Sequence, residues 1–141
     1  GKNCIVAKIF IDSNILVYTM DINNPNKQKI AQKIFKEIGN NEKPVISTQV
    51  LQEFYSACTT KLKTDKLLVK NVLHSFNNME IVQVSIDIIE QGIDVSILSQ
   101  ISFWDGIIIA SAEHAKCSVI ISEDLNNGQI IRGIEIKNPF K

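Results

Sequence analysis

The chain has 141 residues, 45% hydrophobic and 21% charged, long enough to bury one core and too short to divide comfortably into two, so residues 1–141 read as one domain. Fifteen lysines and arginines balance fifteen aspartates and glutamates, so no global field draws the chain to nucleic acid or membrane, and polyanion binding has to come from local patches. Cys4, Cys58 and Cys117 form no CxxC pair and are odd in number, which argues against a disulfide framework or zinc knuckle and for a reducing cytoplasm, with all three as small core residues.

In chain order, 7–12 ("AKIFID") reads as a buried strand and 14–20 ("NILVYTM") as a short helix ending in the break "DINNPN". Residues 26–39 put Ile30, Ile34, Phe35 and Ile38 on one helical stripe, with Lys29, Lys33 and Lys36 outside it and Gly39 closing the helix. A short strand at 44–48 leads to helices at 48–62 and 65–79, a strand at 80–85 and a helix at 86–100. Residues 102–117 form a nearly all-apolar helix, 118–122 a buried strand and 134–137 a last short strand. Strands and helices alternate, and the strands hardly alternate in polarity. That pattern predicts an α/β fold, a mostly parallel sheet covered by helices on both faces. No apolar run approaches the ~18 residues of a membrane span, and no signal-peptide pattern opens the chain.

Ligand sites in open parallel sheets lie beyond the carboxyl ends of the strands. Asp12 closes the first strand, and "ISED" sets Glu123 and Asp124 just past 118–122, so both should project from one sheet edge. Asp105 opens the apolar helix "SFWDGIIIASA", and Glu53 follows the strand at 44–48 on the next helix. No lysine lies within three residues of these four acids and the one arginine is Arg132, so local salt bridges do not explain them. A divalent cation does. Mg²⁺ and Mn²⁺ favour carboxylate oxygens and water, and two such ions ~3.5–4 Å apart activate a water and stabilise the leaving oxygen in attack on a phosphate. Taken singly, each acid has a structural explanation: Asp12 as a helix N-cap, Ser102 with Asp105 as a capping box, Glu53 as a solvated helix residue, "SED" as a turn. Four such coincidences, each where an α/β site would form, favour one site.

These blocks resemble a known family. "FIDSNILVY", "STQVLQEFYSA", "SFWDGIIIASAEHA" and "VIISEDLNNGQII", with the terminal "IEIKNPF", are similar in content and order to the signature blocks of PIN domains, especially VapC-like toxins of type II toxin-antitoxin systems. The resemblance spans nearly the whole chain. It implies a three-layer α/β/α sandwich and an Mg²⁺- or Mn²⁺-dependent endoribonuclease. Asp12, Glu53, Asp105 and Asp124 match the family's acidic residues, and Asn14 and Ser122 its polar helpers. Many members have a small polar residue where this chain has Glu123, which stands as either a ligand or a bystander. The implied mechanism has Asp12 and Asp105 hold a first metal, with Glu53 and Asp124 completing the site through water or a second ion. Cleavage would leave 5′-phosphate and 3′-hydroxyl ends. The resemblance also implies an antitoxin that threads a peptide over the helices near Glu53, and a homodimer, for which an apolar face on the 48–79 helix pair is the natural site.

Two lysine sets, Lys29, Lys33 and Lys36 on one helix ridge and Lys63, Lys66 and Lys70 on another, are candidates for gripping RNA phosphates, against the ordinary reading as solvated surface. Phe103 and Trp104 offer base stacking, with buried packing the favoured reading. His74 and His114 have no metal-ligand spacing. A receiver domain also carries acids at strand ends, but its lysine at the end of the penultimate strand is replaced here by "SED". A housekeeping RNA-processing nuclease and a non-cutting PIN-like binding module stand as the remaining alternatives.

Overall fold

The computed structural model describes residues 6–141; Cys4 lies outside them. Six strands form one sheet in the order β3-β2-β1-β4-β6-β5, all parallel except β5, and six helices cover its two faces as the α/β/α sandwich expected. The strands are β1 (Ala7–Ile11), β2 (Glu42–Ser47), β3 (Glu80–Val82), β4 (Val119–Ile121), β5 (Ile130–Ile131) and β6 (Ile134–Lys137). The helices are α1 (Ser13–Thr19), α2 (Pro25–Asn41), α3 (Thr48–Thr60), α4 (Lys66–Ser75), α5 (Ile86–Ser99) and α6 (Phe103–His114).

Chain order explains where the site forms. From β1 the chain winds outward through β2 to β3, then crosses back by α5 and α6 to place β4 on the other side of β1. The winding reverses between β1 and β4, so their carboxyl ends flank the crevice of a topological switch point. Register is set by continuous apolar runs: Ile9, Phe10 and Ile11 face Val119, Ile120 and Ile121, and the Asp12 N–H donates to Ile121 O at 3.0 Å. Phe10, Ile11, Val45, Ile46, Ile120 and Ile136 are fully buried, as central strands covered on both faces require. Cys58 and Cys117 are buried as expected, and burial pushes their thiols up to about 11 and about 12.

Several boundaries differ from the sequence expectation for local reasons. Gly39 does not close α2, which continues to Asn41 and passes directly into β2. Its inward residues are Ala31 and Ile38, with Ile34 and Phe35 partly buried and Ile30 left at the exposed margin. Lys63 is not on the α4 ridge: it sits in the preceding turn with φ 54°, because Asp65 caps the helix by accepting from Leu68 N at 3.1 Å. The strand expected at 80–85 spans only Glu80–Val82. β5 was not foreseen. It pairs antiparallel with β6 through Arg132 and Gly133, both at positive φ (51° and 77°), the signature of a tight hairpin that the run "IIRGIEIK" conceals.

α5 and α6 meet where Gly92 and Gly106 leave no room for side chains: a methyl on Gly106 would come within 2.2 Å of Gly92 O. A Cβ on Gly39 meets nothing within 4 Å. The two glycines therefore respond oppositely in urea denaturation. Gly106→Ala should lose about 2–3 kcal/mol through forced backbone displacement, and Gly39→Ala should gain about 0.5–1 kcal/mol from helix propensity.

Candidate functional site

Asp12 is the residue after β1 and the N-cap of α1, its Oδ1 accepting from Ser13 N at 2.7 Å. Its Oδ2 accepts from Ser122 Oγ at 2.7 Å, a bond made because Ser122 follows β4 in register with Asp12. The expected capping role is real but does not account for the burial. Asp12 is only 3% exposed, whereas a cap works as well at the surface. Desolvation raises its pKa to about 7, with the Ser122 and Ser13 hydrogen bonds opposing and the charges of Asp124 and Glu53 adding to the rise.

The other acids come to the same edge by different elements. Ser47, the last residue of β2, caps α3, whose second turn presents Glu53; Glu53 Oε1 accepts from Ser13 Oγ at 3.2 Å. Burial raises the Glu53 pKa, hydrogen bonds from Ser13 and Gln49 oppose it, and Asp105 and Asp124 raise it further. Ser102 caps α6 by accepting from Asp105 N at 3.1 Å, as the capping box predicts. The Asp105 carboxyl is nonetheless half-buried and raised, chiefly by desolvation and also by Asp124. Asp124 accepts from Asn14 Nδ2 at 2.9 Å, and its N–H donates to Ser122 Oγ at 3.1 Å. Each of the four carboxylates thus feels the field of at least one other. The five ion pairs among the described residues engage Glu80 (twice), Glu113, Glu37 and Glu123, leaving these four without an ammonium or guanidinium partner.

Uncompensated carboxylates sharing a crevice call for a cation, and an all-oxygen donor set suits a hard divalent one. Among the described residues no three acidic, histidine or cysteine side chains stand close enough to enclose an ion. Mg²⁺ commonly takes only one or two protein carboxylates and keeps its waters, so the donor chemistry fits without a closed cage.

Glu123 is held elsewhere. Its Oε1 lies 2.5 Å from Lys27 Nζ; burial pushes its pKa up, but Lys27 and Tyr18 more than offset this and leave it lowered. Beside the acids runs a groove of about 950 Å³ between α1 and α3, whose lining includes Asn14, Glu53, Asp124, Asp21 and Lys61. None of Lys29, Lys33, Lys36, Lys63, Lys66 and Lys70 lines it, although all six are exposed. Lys33 pairs with Glu37, and Lys66 and Lys70 flank a separate apolar depression with Tyr55, Leu67 and Leu73. Phe103 and Trp104 are not buried as favoured: they are 36% and 61% exposed and stack edge to face at 5.0 Å, while Gln49 Nε2 holds the Trp104 carbonyl at 3.2 Å.

Sequence reasoning missed Ser13, Tyr18, Asp21, Lys27 and Lys61. Ser13 was legible inside "DSN", where the residue between two polar site residues opens the helix. Lys27 and Lys61 carry no sequence signal, because only the packing of α1 against α2 and α3 brings those surfaces beside the acids.

No curated protein gives a significant match to the sequence. Among solved structures the fold is similar to VapC20 of Mycobacterium tuberculosis, a sarcin-ricin loop cleaving toxin, with TM-score 0.67 and 14% identity over 79% of this chain and 86% of that one. It is similar also to VapBC2 of Rickettsia felis bound to a DNA fragment from its promoter, with TM-score 0.67 and 17% identity over 93% and 98% of the two chains. A toxin-antitoxin complex from Klebsiella pneumoniae matches with TM-score 0.67 and 18% identity over 93% and 97%. The family model described as PIN domain matches residues 9–130, which contain the carboxyl-terminal part of β1, all of β4, the crevice between them and all four carboxylates; the chain belongs to the PIN domain family.

Proposed function

We propose that this protein is a single-domain, cytoplasmic, metal-dependent endoribonuclease and the toxin of a type II toxin-antitoxin pair. The observation that carries the reading is the buried Asp12 carboxylate, raised to about 7 and facing other acids with no cationic side chain to neutralise it. Membership of the PIN domain family and the toxin names of its structural relatives support the choice of RNA and of the toxin role. Asp12 and Asp105 would hold Mg²⁺ or Mn²⁺ directly, with Glu53 and Asp124 completing the site through water or a second ion. Such an ion, when bound, supplies Lewis acidity toward phosphate oxygens and a water of lowered pKa.

The chain's own residues prepare the site. Ser122 Oγ and Ser13 N fix the two oxygens of Asp12, Ser13 Oγ orients Glu53, and Asn14 Nδ2 orients Asp124. Ser13 and Asn14 lie in the first turn of one helix, so a rigid body only a few residues long positions two carboxylates from distant segments. The groove between α1 and α3 supplies a route for RNA past the acids, with Lys61 along its wall, and the same acidic wall suits a basic side chain of an antitoxin peptide. A homodimer is proposed on the exposed apolar residues Tyr55, Leu67 and Leu68 of the α3–α4 pair.

Purified protein incubated with a panel of structured RNAs should cleave with added Mg²⁺ or Mn²⁺ and not with chelator. Asp12→Asn and Asp105→Asn should each reduce the rate by a factor on the order of 10³ or more with unchanged circular dichroism. Cleavage by both variants at wild-type rates would refute the site. A housekeeping nuclease predicts the same cleavage without growth arrest on induced expression; arrest relieved by a neighbouring antitoxin gene identifies the toxin.

The raised Asp12 pKa fixes the sign of a pH effect. With the folded value near 7 against 3.8 unfolded, the native state binds the extra proton between them, so stability from this group is present at low pH and lost as pH rises to about 7. In chelator, wild type minus Asp12→Asn should therefore lose about 2–4 kcal/mol between pH 4 and pH 8, read by urea denaturation. Mn²⁺ should restore the loss in wild type alone. A difference independent of pH would contradict the buried charge.

A further inference from the structure

Glu123 stands between two site residues and points away from them. Its neighbours Ser122 and Asp124 turn their side chains to Asp12 and Asn14, and its own N–H donates to Asn14 Oδ1 at 3.3 Å, so its backbone belongs to the site. The carboxylate is instead taken by Lys27 on α2, Oε1 to Nζ 2.5 Å. Lys27, although partly exposed, has further partners: Nζ lies 3.2 Å from Tyr18 Oη, 4.9 Å from the centre of the Tyr18 ring and 5.1 Å from that of Phe140, and the two rings meet edge to face at 5.1 Å. A lone lysine–carboxylate pair at a surface is worth little. Here one ammonium gathers an anion, a hydroxyl and two aromatic faces from three residues far apart in the chain, Glu123, Tyr18 and Phe140, and two of them, Tyr18 and Glu123, form the groove wall beside Asp124.

On the reading that the four acids form a cation site, we propose that Lys27 is a positioning residue that sequesters Glu123, keeping it out of the metal-binding set and setting the affinity of the site for hard divalent cations. Four carboxylates already share the crevice. A fifth, unpaired and one residue from Asp124, would deepen the negative potential, bind the cation more tightly and slow its exchange. This assigns the residue left open between ligand and bystander: Glu123 is held as a charge reserve by Lys27 and coordinates nothing in the native protein.

The test is Mn²⁺ binding to the chelator-treated full chain by calorimetry at neutral pH, for wild type, Lys27→Met, Glu123→Gln and the double variant. Methionine keeps an apolar stem against the two rings while removing the charge. Glu123→Gln should bind Mn²⁺ within about twofold of wild type, Lys27→Met about threefold to tenfold more tightly, and the double variant should return to the wild-type value. Tightening followed by reversal is a result that loss of structure cannot produce, since a damaged site only weakens. The proposal is overturned if Glu123→Gln weakens Mn²⁺ binding, which would make Glu123 a ligand, or if Lys27→Met leaves binding unchanged or weaker. It is overturned equally if the tightening persists in the double variant, or if Lys27→Met reduces only RNA affinity measured in chelator, which would make Lys27 a phosphate contact. Absence of Mn²⁺ binding by wild type would refute the cation site itself, whereas wild-type binding with no response to Lys27→Met refutes this assignment alone.

Discussion

The hydrogen bond from Ser122 Oγ to Asp12 Oδ2 is the interaction on which the rest of the site depends. It joins the residues that follow the two central strands at the point where the winding of the sheet reverses, and it is buried. Without it Asp12 would keep its cap to Ser13 N but lose the partner of its second oxygen inside the protein, where an unsatisfied carboxylate is costly. Ser122 also accepts from Asp124 N, so one hydroxyl ties the β1 acid to the loop bearing another. Asp12, Asp124 and, through Ser13, Glu53 are therefore held by a shared network, with Asp105 beside it on α6, and the charge these acids concentrate is the feature a cation would relieve.

Much of this was legible because buried parallel strands leave plain traces. The apolar runs ending in Asp12 and in "SED" identify β1 and β4, and the alternation of strands with helices identifies the layers. Asp12, Asp105 and Asp124 were legible for a related reason, since a charge set at the edge of an apolar run is out of place unless it has a task; Glu53, within the mixed run "STQVLQEFYSA", carries no such mark. Local chemistry of this kind survives in one dimension.

What stayed hidden depends on contacts between elements. Trp104 occupies an apolar helix and so reads as core, yet it falls on the exposed side of the first turn of α6, a distinction that seven consecutive buried residues from Gly106 to Ala112 obscure. β5 is two residues long and turns through Arg-Gly in place of the usual Asn-Gly, so neither its length nor its turn announces a strand. Lys27 reads as one solvated lysine among several. Its partners, Tyr18, Glu123 and Phe140, are brought to it only by the docking of α2 and the chain's last residues.

The bonds that assemble the crevice join residues very far apart in the polymer. Asp12 to Ser122 and Asn14 to Asp124 each span 110 positions, and Ser13 to Glu53 spans 40. Closing loops of that size costs chain entropy that the contacts of the docked sheet have to offset. No fragment emerging during synthesis, and no partly unfolded form that has released β4, can carry the assembled constellation. The constellation is consequently all-or-none: it exists only while β4 is docked beside β1.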